Sequence, residues 1–502
     1  MASPTRAEVS GPPMSLADLL QGVKVIETSG ALATPIADIQ SRLYKIQPGD
    51  LFAVVVDYYR DDHALIQKAI SQGAAAILLS KPPDGPLPVP WVQTHDVGAL
   101  LGHLCARRYG YPAERLEIVG VTGTNGKTTT TYLLESILVA GSRRPGRIGT
   151  LGLAYGGTWE AAEVLSTPEP PVLHRALAAM IQGGADMVTM EVTSQGISMG
   201  RVLDCRFAMR ILTGIGHDHL DYHETVEHYA ATKIDWVLGA QADHRERVVA
   251  PIDEPRAHQI FAKLGDRAAS FGFSEEATVH PTALTFDERG IRGSLSTPAG
   301  RLDFASPLIG RHNLRNVMAA VAAAHFLDIP LAEIAEGLAN LSAVPGRLEV
   351  IENDRDLTIL VDFAHTPDAL QAMLSSIREL ARGRVIIVLG CGGDRDPTKR
   401  PIMAKIASDH AELAILTSDN SRSESPLQIL SEMCKGLPDR RRCEAVVEPD
   451  RREAIRQALR WARAGDVVII AGKGPEAVQI VGERLICFDD RHVTRELLRE
   501  LS

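Results

Sequence analysis

The run LEIVGVTGTNGKTTT, residues 116–130, leaves the chain around it few possible folds. An apolar stretch suited to a buried strand passes into a glycine-rich turn with a lysine, and then into a threonine-rich segment suited to a helix start. That order builds a phosphate cradle. Gly123 and Gly126 let amide N–H groups converge, the helix N-terminus adds its dipole, Lys127 brings a point charge and the Thr128 hydroxyl can reach Mg²⁺. Thr124, Asn125 and Thr129 complete the turn and the first helical residues. Strict P-loop spacing places a glycine where Val121 stands, and here Gly120 lies one position earlier. A glycine-rich surface turn is the plainer alternative, but a strand before it and a helix after it favour a nucleoside triphosphate site.

With 502 residues the chain has room for about three domains, each with its own core. Although 45% of its residues are hydrophobic, no uninterrupted apolar run is long enough to cross a bilayer. The start, MASPTRAEVSGPP, has no apolar core after a basic residue, so residues 1–14 are expected to be a frayed tail and not a signal peptide. A net charge of −10 argues against nucleic acid as the main partner while leaving room for a local phosphate pocket. Cys105, Cys205, Cys391, Cys434, Cys443 and Cys487 form neither a CxxC pair nor a disulfide framework, which fits a reduced cytoplasm.

Three α/β regions are expected. In residues 1–111, a Pro48-Gly49 turn precedes an apolar strand, an amphipathic helix and a strand over 75–79, closed by a proline-rich loop over 82–90. Residues 112–344 carry the cradle, with helices expected over 128–140, 173–182, 225–238 and 313–326 and strands over 187–192 and 207–214. These continuous apolar strands suit a parallel sheet. Residues 345–502 repeat the alternation, with strands over 358–361, 385–389, 413–416 and 467–470 and helices over 367–380, 402–408, 427–434 and 452–462. This implies a second, Rossmann-like sheet whose ligands gather at the carboxyl ends of its strands. No internal repeat or low-complexity tract is present.

Several polar clusters follow these strands. Glu191 ends the run MVTME, ahead of Thr193, Ser194 and Gln195, where a carboxylate can hold Mg²⁺ or simply be solvated. HDHLDYH, residues 217–223, offers His217, His219 and His223 with two aspartates; a magnesium or phosphate role suits it better than zinc, and a helix-capping loop is the alternative. Lys233 falls among apolar residues of the next helix, where a lysine usually snorkels to solvent. Asn313 and Asn316 share a helix face and could read an adenine edge or cap the helix. In the third region Arg347, Asp362 and His365 flank a strand, and GCGGDRDPTKR, SDNSR and AGKGPE each follow one. Three polar loops on one sheet edge make a pocket for a charged, multi-armed small molecule.

GTNGKTTT, DHLDYH and HNLRNVMAA together resemble the Mur ligase family, ATP-dependent amide-forming enzymes of three domains, over essentially the whole chain after the tail. Within it, PGDLF, GRLEV, DFAHTPDAL, GCGGDRD, DNSR and AGKG are most similar to the branch that adds meso-diaminopimelate, with lysine as second choice, to UDP-N-acetylmuramoyl-L-alanyl-D-glutamate in cell-wall synthesis. The resemblance implies that Lys127 and Thr128 hold ATP phosphates and one Mg²⁺, that Glu191 and His219 ligate metal, and that Lys233 is carried as a metal-binding carbamate. Asn313, Asn316, Arg347 and Asp362 would frame the nucleotide. Ser166, Thr167, Thr193 and Arg201 would face the nucleotide-sugar peptide, with Ser41 and Arg42 at its uridine end. Arg395, Asp419, Asn420, Arg422, Gly472 and Glu476 would receive the amino acid. The expected partners are therefore small molecules, bound by a monomer, without membrane or nucleic acid.

The chemistry so implied is phosphoryl transfer to a carboxylate, giving an acyl phosphate that an amine can attack. Some positions depart from the family pattern. Ser421 replaces a proline beside the retained Arg422, whose guanidinium can clamp a distal carboxylate and so favours diaminopimelate. Pro475, Val478, Gln195, Met199, Gly214 and Asp62 also differ from the family's usual residues. They keep open a paralogue that joins an amino acid to another carboxylate. A nucleotide switch without ligation is a third possibility, which leaves DNSR and AGKG unexplained.

Overall fold

The computed structural model describes residues 11–58, 60–160, 165–216, 218–239, 246–287, 290–437 and 444–501. His217, Cys443 and the first ten residues of the expected tail lie outside them. Strands that are apolar on both faces need cover on both sides, and the three main sheets are largely parallel with helices around them. The first sheet orders Glu27–Ser29, Trp91–Gln93, Ala76–Leu79, Leu51–Ala53 and Ile39–Gln40, parallel except for its first pair.

The second sheet has an antiparallel margin, Thr158–Glu160 and Gly152–Tyr155. Six parallel strands continue it in the order Pro145–Gly149, Met187–Glu191, Glu117–Thr122, Phe207–Leu212, Arg247–Pro251 and Ala268–Phe271. The alanine-rich helix Arg311–Phe326 is buried along most of its length, and Lys127–Ala140 packs beside it. A third helix, Leu331–Asn340, approaches Lys127–Ala140 closely through a small residue: a Cβ on Gly337 would lie 2.4 Å from the Ile137 Cα. The third sheet runs Glu349–Val350, Thr358–Asp362, Val467–Ala471, Val385–Cys391, Leu413–Ser418 and Glu444–Val447, parallel after its first pair.

The helices and strands expected in the second and third regions form, most with ends shifted by one to three residues; the helix expected over 402–408 extends over Lys399–His410. An antiparallel sheet of His280–Asp287, Gly290–Thr297 and Gly300–Ser306 was not anticipated. Its last strand alternates strictly, placing Leu302 and Phe304 in the core and Asp303 and Ala305 outside. The closing helix Asp490–Leu501 was also missed. Among the described residues no helix is long and apolar enough to cross a membrane.

Candidate active site

Three neighbouring strands of the second sheet end together. Val121 is in register with Glu191, and Thr122 with Leu212, so the glycine turn, the Glu191 carboxylate and Thr213 share one edge. The helix Lys127–Ala140 starts from Gly126 at φ +87°, and a Cβ there would lie 2.3 Å from the Asn316 Oδ1. Only glycine fits this turn with Asn316 behind it. The Thr213 hydroxyl donates to the Asn125 carbonyl at 2.5 Å, and Thr124 Oγ1 accepts from the Gly216 amide at 2.7 Å. Lys127 Nζ donates to the carbonyls of Gly123 at 2.8 Å and Thr124 at 3.0 Å. Lys233 Nζ donates to the same Gly123 carbonyl at 3.2 Å and lies 4.6 Å from the Tyr229 ring centre.

Lys233 does not snorkel: helix Val226–Leu238 turns it inward, leaving it 1% exposed. Burial, reinforced by the charge of Lys127, pulls its ammonium well below the usual lysine range. Burial likewise lowers Lys127 and Arg347, against the nearby carboxylates. The Glu191 carboxylate is fixed from outside the loop, accepting from the Thr150 amide and hydroxyl, each at 2.9 Å. Arg347 donates to Thr128 Oγ1 at 3.3 Å and lies over the Phe363 ring at 4.6 Å, while its buried Nε has no hydrogen-bond partner. Asp362 accepts the amides of Leu348 and Ala364, each at 2.8 Å, and burial raises its carboxyl despite the charge of Arg347. His219, at φ +53°, stands 3.4 Å from Asp218, and burial lowers its imidazole. Burial brings His365 down to about 4.

The third sheet supplies the facing wall. Asp362 pairs with Ala471, Leu389 with Ala471 and Cys391 with Ser418, so the loops after these strands emerge side by side. Arg422, at φ +50°, donates to the Gly393 carbonyl at 2.7 Å, tying DNSR to GCGGDRD. Asn420 Nδ2 donates to Glu476 Oε2 at 2.7 Å, tying DNSR to the AGKGPE loop. Burial raises the Glu476 carboxyl above its ordinary value.

A cleft of about 400 Å³ separates the two walls. One side presents Thr124, Asn125, Gly126, Lys127, Thr128, Ser166, Glu191, Thr193, His219 and Arg347; the other presents Arg395, Asp419, Asn420, Arg422, Gly472 and Glu476. Other expected residues stand behind or away from this lining. Gly123, Thr129, Lys233 and Asp362 are buried and do not line it. Asn313 and Asn316 are buried in their helix, with Asn316 Nδ2 donating to Asn313 Oδ1 at 3.0 Å and Asn313 Nδ2 to the Ile309 carbonyl at 2.8 Å. Asn316 also backs the Gly126 turn. Thr167 bonds Thr193 at 3.0 Å, and Arg201 donates to the Thr167 carbonyl at 3.1 Å. Ser41 and Arg42 lie at another edge, bound to Glu169 at 2.5 and 2.6 Å.

Thr150, Phe363 and Lys399 line the cleft without having been singled out, as does Asp218, one of the two aspartates of HDHLDYH. Thr150 could have been noticed as the hydroxyl just past the strand Pro145–Gly149. Among the described residues no three His, Cys, Asp or Glu side chains gather as a metal site. A lone carboxylate, a hydroxyl and an imidazole do fit a hard cation that takes its remaining ligands from phosphates and water.

Residues 121–324 match the family description "Mur ligase middle domain", and residues 346–474 match "Mur ligase, glutamate ligase domain". A protein of Gloeobacter violaceus named UDP-N-acetylmuramoyl-L-alanyl-D-glutamate--2,6-diaminopimelate ligase is 40% identical over 97% of this chain and 98% of its own length. A protein of the same name from Geobacillus thermodenitrificans is 40% identical over 91% of this chain and 93% of its own length. A solved structure with that name is 28% identical and superposes with a TM-score of 0.66 over 97% of this chain and 99% of its own.

Proposed function

The chain belongs to the Mur ligase family, and from that premise we propose that it joins meso-diaminopimelate to UDP-N-acetylmuramoyl-L-alanyl-D-glutamate at the expense of ATP. The observation that carries this reading is the single cleft in which the phosphate loop faces Arg422, Asn420 and Glu476. Residues 1–111 would hold the uridine end through Ser41 and Arg42, residues 112–344 the ATP, and residues 345–502 the amino acid. Mg²⁺, held by Thr128, Glu191, His219 and a carbamate on Lys233, would supply positive charge against the phosphates during transfer. Lys233 suits carbamylation because burial favours its neutral amine. The free cysteines among the described residues fit a reducing cytoplasm.

A carboxylate resists attack by an amine because its leaving group would be oxide. A carboxylate oxygen of the D-glutamyl residue attacks the γ-phosphorus; the O–P bond forms, the bond to ADP breaks, and an acyl phosphate results. Lys127 and the loop amides hold the charge that develops on the phosphoryl oxygens. The amine of diaminopimelate then attacks the acyl carbon, losing its proton, and inorganic phosphate departs as the amide forms. Arg422 suits the distal carboxylate of diaminopimelate, which lysine lacks. A different carboxylate substrate is not favoured, given the names shared by relatives at this identity.

The test is ADP release in the presence of UDP-N-acetylmuramoyl-L-alanyl-D-glutamate and a panel of amino acids. Stimulation by meso-diaminopimelate, more than by lysine, is expected, with ¹⁸O from the acid substrate appearing in released phosphate. No response to either amino acid would remove the reading, and ADP release independent of any amino acid would point to a nucleotide switch.

A further inference from the structure

The AGKGPE loop contains a cation that none of the roles above uses. Lys473 is 0% exposed. An ammonium has three N–H donors and no acceptor, and here all three are spent: Nζ donates to the Val478 carbonyl at 2.6 Å, to Asn420 Oδ1 at 3.3 Å and to Glu476 Oε2 at 3.3 Å. It therefore touches two of the side chains that line the amino-acid wall.

Its effect on Asn420 is directional. Oδ1 receives both Lys473 and the Ile480 amide, the latter at 2.9 Å. Two donors on one side of a carboxamide can be met only by its oxygen, so the NH₂ must point the other way, onto Glu476 Oε2 at 2.7 Å. Glu476 Oε2 then carries two donors, from Lys473 and Asn420. Among the described residues no donor bonds Oε1, and the Glu476 side chain, 35% exposed, lines the cleft. A carboxylate with one oxygen tied back and the other presented is a one-directional acceptor for an ammonium group.

We propose that Lys473 is a positioning residue for the incoming amino acid: it locks the Asn420 amide and turns one oxygen of Glu476 toward the substrate ammonium. The inference rests on the proposed ligase activity and deepens it. Lys473 itself touches no substrate; it acts through Asn420 and Glu476. Without it the Asn420 amide is free to flip and the Glu476 carboxylate to rotate, so amino-acid affinity falls while the phosphate loop is untouched.

The experiment is steady-state kinetics of the full-length enzyme with each substrate varied in turn. Lys473→Met is expected to raise the KM for meso-diaminopimelate about 10- to 100-fold, the loss of charge-assisted hydrogen bonds, while the KM for ATP and for the UDP-dipeptide stay within about twofold. Because Lys473 works through Glu476, Lys473→Met added to Glu476→Gln should raise that KM far less than it does alone. Lys473→Gln, which keeps N–H donors without the charge, replaces the Met variant if that variant does not fold. A folded variant with unchanged diaminopimelate KM overturns the proposal, as do fully multiplicative effects in the double variant. Loss of fold in both variants would make Lys473 purely structural and overturn it equally. A wild-type enzyme that ignores diaminopimelate would instead remove the parent reading, before any variant is compared.

Discussion

The two walls of the cleft both bury cations, but in opposite ways. In the phosphate cradle, among the described residues, Lys127 and Lys233 donate to backbone carbonyls alone, and Arg347 reaches a hydroxyl and a ring face alone. Among the described residues none of the three has a carboxylate within ion-pair distance, and burial lowers all three. In the facing domain, Arg451 and Asp490 are both 0% exposed and meet through two bonds of 2.7 Å. Arg400 is likewise held by Glu424 at 2.8 Å and Glu432 at 2.6 Å. Burial alone would pull these two guanidinium groups down, and their carboxylate partners hold them above the ordinary value instead. Cations without carboxylates form a cradle for a polyanion, whereas cations already paired are scaffold. The same side-chain chemistry thus serves function on one side and fold on the other.

Removing one cation from each side should separate these roles. Lys127→Ala is expected to reduce turnover about 10³-fold or more, since it takes a preorganised charge from the transferring phosphoryl group. Its melting temperature should hold or rise, because an unpaired cation has been deleted. Lys233→Ala should be as inactive, and high bicarbonate should not restore it; full activity in that variant would rule out the carbamate. A Lys127→Ala enzyme that unfolds would place this cation with the scaffold and break the comparison.

The reverse holds for Arg451→Ala, expected to destabilise the third-sheet domain by about 3–5 kcal/mol through the uncompensated Asp490 charge. Arg451 also donates to the carbonyls of Ser418 at 3.3 Å, just before the DNSR loop, and of Ala471 at 3.0 Å, the first residue of AGKG. Chemical denaturation followed by a probe in that domain measures the loss. Unchanged stability would show that the pair is not scaffold.

How far the sequence disclosed these features follows from how local each one is. The cradle was legible because residues 123–128 form one turn whose geometry is written in consecutive residues. The strands with continuous apolar runs were legible for the same reason, while Gly300–Ser306, with its alternation of two, was not. Arg451 and Asp490 are 39 residues apart, and Ser41 and Glu169 are 128 apart, so no spacing rule joins them. Lys473 stood in a motif already noted, yet only the fold reveals that it faces inward toward Asn420 and Glu476. Sequence placed the polar loops at the carboxyl ends of their strands; which side chains line the cleft and which stand behind it depended on tertiary contacts.

A buried titratable group outside the cleft provides the finest test of the contrast. His174, on helix Pro170–Gln182, is 0% exposed, and neither ring nitrogen has a hydrogen-bond partner. Burial brings it to about 4 from an ordinary value of 6.5. The folded state therefore holds the neutral ring, and the unfolded chain takes up a proton first as pH falls. The fold keeps full stability from this group above pH 6.5 and loses it progressively as pH falls toward 4, by about 2 kcal/mol at pH 5. His174→Leu, of similar volume, should leave stability at pH 8 nearly unchanged and remove most of that acid-side loss. If the acid sensitivity persists in this variant, it resides in the other imidazoles that burial lowers, His219 and His365 in the cleft and His223 and His312 outside its lining, and His174 does not set the acid limit of the fold.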